Sequence, residues 1–214
     1  VQDVTLFAKY TLRADEMFLN RMIGGTFEGS NDPDFREKEV LYLINEKPKR
    51  LQTVVQSYSS KSYRYVRYIG PKDSHCNIAE AAFYTPNDTA SLKGKVIGTP
   101  GCFQKDGSHE YTNVFDGDVT TSFDYIEPSG GWSGLDLGTP KQIGRIVYTP
   151  RSYDNYIRSG DDYELFYCAR RNNWKSLGDQ RSKADSLIYI KIPVNALLLL
   201  CNNTRGIQER IFVY

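Results

Sequence analysis

Apolar residues recur along the chain in short runs of about four to eight, β-branched or aromatic in character, and no run keeps a helical period over several turns. The runs are Val4–Thr11, Glu39–Ile44, Tyr63–Ile69 and Glu80–Tyr84. A second series comprises Lys95–Thr99, Gly134–Leu137, Ile143–Thr149, Tyr163–Tyr167, Leu187–Ile190, Ala196–Leu200 and Arg210–Tyr214. Turn-forming clusters separate them, among them Ser30-Asn31-Asp32-Pro33-Asp34, Gly70-Pro71-Lys72-Asp73, Thr99-Pro100-Gly101 and Pro128-Ser129-Gly130-Gly131. Short strands at this spacing predict an all-β sandwich or barrel. The polar stretch from Pro86 to Ser91 is the best linker candidate.

The chain also repeats itself. Tyr10-Thr11-Leu12-Arg13 corresponds to Tyr148-Thr149-Pro150-Arg151, and an Arg-bearing loop follows each, at Arg21 and Arg158. Later, Asn77-Ile78-Ala79-Glu80-Ala81-Ala82-Phe83 corresponds to Gly206-Ile207-Gln208-Glu209-Arg210-Ile211-Phe212. Two copies of one module are expected, divided as 1–86 and 87–214. The second copy carries landmarks ahead of its Tyr-Thr-Pro-Arg strand that the first lacks, so the first is expected to be partial. The opening Val1-Gln2-Asp3-Val4, without Met, reads as a processed protein or a fragment.

Composition narrows the function. Of the 214 residues, 40% are hydrophobic and 13% aromatic, which excludes a disordered chain. No run reaches the ~20 apolar residues of a membrane helix. Lys+Arg 27 against Asp+Glu 26 leaves a net charge of +1, so no general basic field draws the chain to nucleic acid. The alternation of Arg and Tyr from Tyr63 to Tyr68 is better read as a half-exposed strand than as a single-strand clamp. His75 and His109 are the only histidines, and neither lies in a nucleophile or zinc motif. Gly131-Trp132-Ser133-Gly134 misses the G-x-S-x-G spacing of a nucleophile elbow. Catalysis is therefore not expected. Cys168 and Cys201 each end a strand-like run, which leaves a disulfide and buried free thiols as equal readings.

One loop has the chemistry of a metal site. In Asp116-Gly117-Asp118-Val119-Thr120-Thr121, two carboxylates two residues apart can face one centre if Gly117 makes a tight turn. Thr121 and backbone carbonyls add neutral oxygens, a set suited to Ca²⁺. The other reading is an Asp-Gly turn closed by a side-chain hydrogen bond.

Phe115-Asp116-Gly117-Asp118-Val119-Thr120-Thr121, Trp132-Ser133-Gly134-Leu135-Asp136-Leu137-Gly138 and Ile143–Arg151 together resemble the discoidin family, also called coagulation-factor type C or galactose-binding-like domains. The resemblance covers Leu92–Tyr214 as one near-complete module. In the first copy it covers Val4–Tyr84, where Gly24–Asp32 is similar to the family's F-x-G-S-N-D strand and turn. It implies an eight-stranded antiparallel jelly roll without catalysis. Such modules are appended to secreted, periplasmic or cell-surface proteins, many of them bacterial, beside catalytic domains. It also implies that Glu209 completes a Ca²⁺ cage with Asp116, Asp118 and Thr121. The ligand surface it implies is the loop end built from Tyr153, Asp154, Asn155, Tyr156 and Arg158, with Asn202, Asn203, Thr204 and Arg205. Those residues supply an aromatic face and planar polar groups of the kind sugars need. The expected function is a pair of non-catalytic modules binding a glycan or another cell-surface ligand. The alternative is a structural or protein-contact module that positions a neighbouring catalytic domain.

Overall fold

The structure, a computed structural model, describes residues 1–11, 18–170, 173–206 and 209–214. Of the sequence landmarks, Leu12, Arg13, Arg171, Asn172, Ile207 and Gln208 lie outside the described residues. The fold is all-β and every ladder is antiparallel. Its strands are β1 (Gln2–Leu6), β2 (Thr26–Ser30), β3 (Lys38–Leu43), β4 (Thr53–Gln56), β5 (Ser62–Ile69), β6 (Ile78–Tyr84) and β7 (Lys95–Gly98), then β8 (Trp132–Gln142), β9 (Arg145–Pro150), β10 (Asp162–Arg170), β11 (Asn173–Arg181), β12 (Leu187–Ile192), β13 (Leu198–Asn202) and β14 (Ile211–Phe212). Among the described residues no helix is long and apolar enough to cross a membrane.

Two compact units form, and they do not follow the two sequence copies. The larger comprises Met17–Pro48 and Gln52–Ser152, and the smaller Val1–Glu16, Lys49–Leu51 and Tyr153–Tyr214. The expected boundary near residue 86 therefore falls inside the larger unit. Pro86–Ser91 is a turn there, tied back by Leu92 N–H donating to the Phe83 carbonyl at 2.7 Å. The strand ending Tyr148-Thr149-Pro150 pairs with β6 in the larger unit, while Tyr10 is held by Asn155 in the smaller.

The larger unit has a five-stranded sheet, β3-β2-β5-β8-β7, and a three-stranded sheet, β4-β9-β6. Period-two alternation fills its core: Ala79, Ala81 and Phe83 of β6 and Ile146 and Tyr148 of β9 point inward. Phe27 is the hub, with its ring centroid 5.1 Å from Tyr68, 6.0 Å from Phe83 and 5.3 Å from Tyr148. β5 is a central strand covered on both faces, not the half-exposed strand expected from its alternation. Its Arg67 is buried against Glu28 at 2.8 Å and lies beneath the rings of Phe35 and Trp132. Gly134 in β8 leaves no room for a side chain, because a Cβ there would stand 2.2 Å from the Val66 carbonyl. Trp132 is thus a packing residue, and Ser133 is buried and donates to the Tyr111 carbonyl at 2.7 Å.

The smaller unit has a four-stranded sheet, β11-β10-β13-β14, and a two-stranded sheet, β1-β12. Val4, Leu6, Tyr163, Leu165, Leu187, Tyr189, Leu198 and Leu200 form its core. Cys168 and Cys201 sit on adjacent strands, but Cys201 faces Glu164 and Cys168 faces Trp174. That offset of four residues is ~13 Å along a strand, well beyond disulfide reach. All four cysteines are free thiols.

Candidate functional site

The Asp116 loop turns at Gly117, whose φ of +83° suits only glycine without strain. Asp116 Oδ1 accepts the Asp118 N–H at 2.7 Å, and Asp116 Oδ2 accepts the Thr121 hydroxyl at 2.8 Å. Asp118 Oδ1 accepts both the N–H and the hydroxyl of Thr120, at 2.9 and 2.6 Å. The side-chain-closed turn is therefore present. The residue that closes on it is Glu80, on the outward face of β6, whose Oε1 accepts the Gly117 N–H at 2.8 Å. Burial, and then the neighbouring Asp116 carboxylate, push the Glu80 carboxyl up to about 8. The resemblance assigns this role to Glu209. It belongs to the smaller unit, beside Cys201, where burial and then Glu209 push that thiol up to about 11. Glu80 and the Asp116 loop both lie in the larger unit.

This donor set fits a hard cation in part. Glu80 and Asp116 repel each other unless a proton or a cation lies between them. Thr121 adds a neutral oxygen. Asp118 is turned to Thr120. Among the described residues no cluster of three His, Cys, Asp or Glu side chains gathers as metal ligands, so backbone carbonyls or water would have to supply the other ligands.

The sequence-predicted ligand loop lies in the smaller unit and is mostly closed on itself. Asp154, Asn155 and Tyr156 are buried. Asn155 Oδ1 accepts the Tyr10 N–H at 3.1 Å and its amide donates to the Tyr10 carbonyl at 2.9 Å, standing in for a backbone pair. Asp154 takes Arg158 through Nε and Nη2 at 2.9 and 2.6 Å, and Lys9 at 3.3 Å. Lys9 is itself buried, and desolvation lowers its ammonium below the usual lysine range against the pull of Asp154. Asp161 holds Asn202 at 2.9 Å and Arg205 at 2.7 Å. Burial would raise the Asp161 carboxyl, but Arg205 and Asn202 outweigh it and hold it below the usual range. Asn203 is exposed, with its N–H donating to the Asp162 carbonyl. Tyr153 is exposed at a φ of +52°. The structure thus gathers the predicted residues, but as an internal charge network rather than an open receptor.

The larger unit carries an open loop end that sequence reasoning missed. His75, Cys76 and Asn77 have φ of 56°, 70° and 29°, three consecutive non-glycine residues in a left-handed region. Surrounding hydrogen bonds hold that strain, as they must for it to persist. His75 N–H donates to the Pro128 carbonyl at 3.0 Å, Tyr125 N–H to the His75 carbonyl at 2.7 Å, and Arg151 N–H to the Asn77 carbonyl at 3.3 Å. The Asn77 amide donates to the Ser74 carbonyl at 2.7 Å and to Asp124 Oδ1 at 2.8 Å. Asp124 Oδ2 takes the Arg151 guanidinium at 2.5 Å. His75 Nδ1 lies 2.9 Å from the Tyr125 carbonyl and donates to it, which fixes the ring's orientation.

On this fixed frame stands Phe103, 56% exposed, edge-on to His75 with centroids 5.3 Å apart and planes at 79°. Its N–H donates to the Asp124 carbonyl at 2.8 Å. Arg21 reaches Asn77 Oδ1 at 3.5 Å and lies over the Phe18 ring at 5.4 Å. The only signal for this end in the sequence is that Arg21 and Asn77 each mark a repeated position. The chain matches no protein-family model, no curated protein and no solved structure.

Proposed function

We propose that the chain is a non-catalytic carbohydrate-binding module pair of the discoidin, jelly-roll type, belonging to a secreted or cell-surface protein, and that the loop end of the larger unit is its sugar contact. One observation carries this reading: Phe103 is an exposed aromatic face locked beside His75 on a hydrogen-bonded frame. A pyranose offers CH groups to such a face and hydroxyls to the planar groups around it, here Arg21 and the free nitrogen of His75. A frame ordered in advance spares the ligand the entropy of ordering it.

Ca²⁺ is assigned a structural role at Glu80, Asp116 and Thr121, where it replaces the proton held between the two carboxyls. The same two carboxyls argue against glycoside hydrolysis. Glu80 is turned into the Asp116 loop, onto the Gly117 N–H, whereas a glycosidase pair stands ~5 Å or more apart with a sugar between.

A second reading is favoured for the smaller unit. Its Ile188 and Ile190 are each 64% exposed on the outward face of β12, which suits contact with a neighbouring domain.

A glycan array with the whole chain tests the main reading. Retained binding to at least one glycan class, lost in Phe103→Ala at unchanged melting temperature, supports it. No binding to any glycan contradicts it.

A further inference from the structure

We infer that the glycan taken at this loop end is anionic and presents a carboxylate to Arg21; the inference rests on the reading of Phe103 as the sugar platform. The argument starts from what the loop end does with its charges. Its buried carboxylate is already neutralised, because Asp124 takes Asn77 and Arg151 together. Asp106 is occupied by the N–H and hydroxyl of Ser108 at 2.9 and 2.6 Å, and Glu110 by the Gly101 N–H at 2.9 Å. These groups cap loops and are engaged within the protein.

The cations are disposed otherwise. Arg21 is exposed, and among the described residues no carboxylate lies within ion-pair distance of it. Among the described residues its contacts are the long bond to Asn77 and the Phe18 ring, which orient the guanidinium and carry no negative charge. Lys72 and Lys105 are also exposed on these loops without an ion-pair partner among the described residues, against the exposed carboxylates of Asp73 and Glu127.

Arg21 and Phe103 stand on either side of one polar pair. Asn77 receives Arg21 on its oxygen and gives its amide to Asp124, whose backbone carbonyl holds Phe103. In this reading a sugar ring on Phe103 turns its acidic substituent toward Arg21. A guanidinium presents its donors as a planar fork that matches a carboxylate in bidentate fashion. Uronic-acid and sialic-acid sugars carry such a group, and neutral hexoses do not.

The test uses the whole chain and a panel of oligogalacturonides, alginate oligosaccharides and sialyllactose, each beside its methyl-esterified form. Titration calorimetry should find at least one acidic member bound tenfold or more tighter than its ester, with the preference weakening as salt is raised. Arg21→Gln should bring acid and ester to equal affinity, and Arg21→Lys should restore part of the difference. Arg21 is exposed, so thermal melts of both variants should match the parent. Esters or neutral sugars bound as well as the acids would overturn the inference and leave the sugar-binding reading standing. Binding to the acids unchanged in Arg21→Gln would overturn the assignment to Arg21. Failure of every glycan, neutral or acidic, would overturn both.

Discussion

Arg21 and Arg158 each follow a Tyr-Thr segment, at Tyr10 and at Tyr148, yet they are held differently. Arg158 meets Asp154 four residues earlier through two hydrogen bonds, in a network that includes buried Lys9. Arg21 meets no carboxylate among the described residues and stays exposed, over the half-buried ring of Phe18. Where the chain supplies a partner for the guanidinium, the loop end becomes part of the core. Where it does not, the loop end keeps its chemistry for something else. The comparison sets a guanidinium paired within the fold against one left exposed.

The largest expected effect is on the closed side. Asp154→Ala strips the partner from two cations, one of them buried, and should cost about 3–5 kcal/mol, read as loss of the smaller unit's melting transition. Arg21→Ala should shift stability by no more than ~0.5 kcal/mol in the same melts, as a surface substitution does. Equal losses from the two would erase the contrast.

Next comes the Glu80 carboxyl. Its pKa is raised in the folded state, so the folded protein keeps a proton there that the unfolded chain has released between about pH 4.5 and 8. Without metal, the larger unit should therefore lose stability as pH rises through that window. Ca²⁺ at a hundred times its dissociation constant should add ~2.7 kcal/mol at pH 8 and less at pH 5, where the proton competes. Glu80→Gln should flatten the pH dependence and remove the response to EDTA, while Glu209→Gln should leave both intact. A melting temperature indifferent to EDTA at pH 8 would reduce the loop to its turn role.

The smallest effect is none at all. A reductant such as dithiothreitol should leave the melting temperature unchanged, because Cys168 and Cys201 are four residues out of register. A mass lower by two hydrogens without the reductant would show that these strands had shifted.

The all-β class was legible because runs such as Ile143–Thr149 and Tyr163–Tyr167 alternate inward apolar residues with outward ones. β11 was missed because it is an edge strand of mostly polar and exposed residues, from Asn173 to Arg181, with little apolar alternation to mark it. β4 is four residues long and half exposed, with the same result. Similar landmarks around Glu80 and Glu209 cannot say which Glu closes on the Asp116 loop; in the structure Glu80 accepts the Gly117 N–H there. That the predicted ligand loop is closed on itself was hidden for a related reason. Asp154 and Asn155 have the residue types of a sugar site, but the same hydrogen-bonding groups bind Lys9, Arg158 and the Tyr10 backbone just as well. Phe103 escaped notice because an isolated Phe in a long polar loop carries no periodic signal, and its exposure is set by distant contacts to Asp124 and His75.

The contrast between the two loop ends is tested most directly by one titration series. The best glycan from the array is titrated into the parent chain, Phe103→Ala and Tyr153→Ala, each confirmed folded by its melt. Phe103→Ala should weaken binding at least tenfold, about 1.4 kcal/mol, while Tyr153→Ala should bind as the parent does. Binding lost in Tyr153→Ala and kept in Phe103→Ala would place the sugar on the smaller unit and contradict the account.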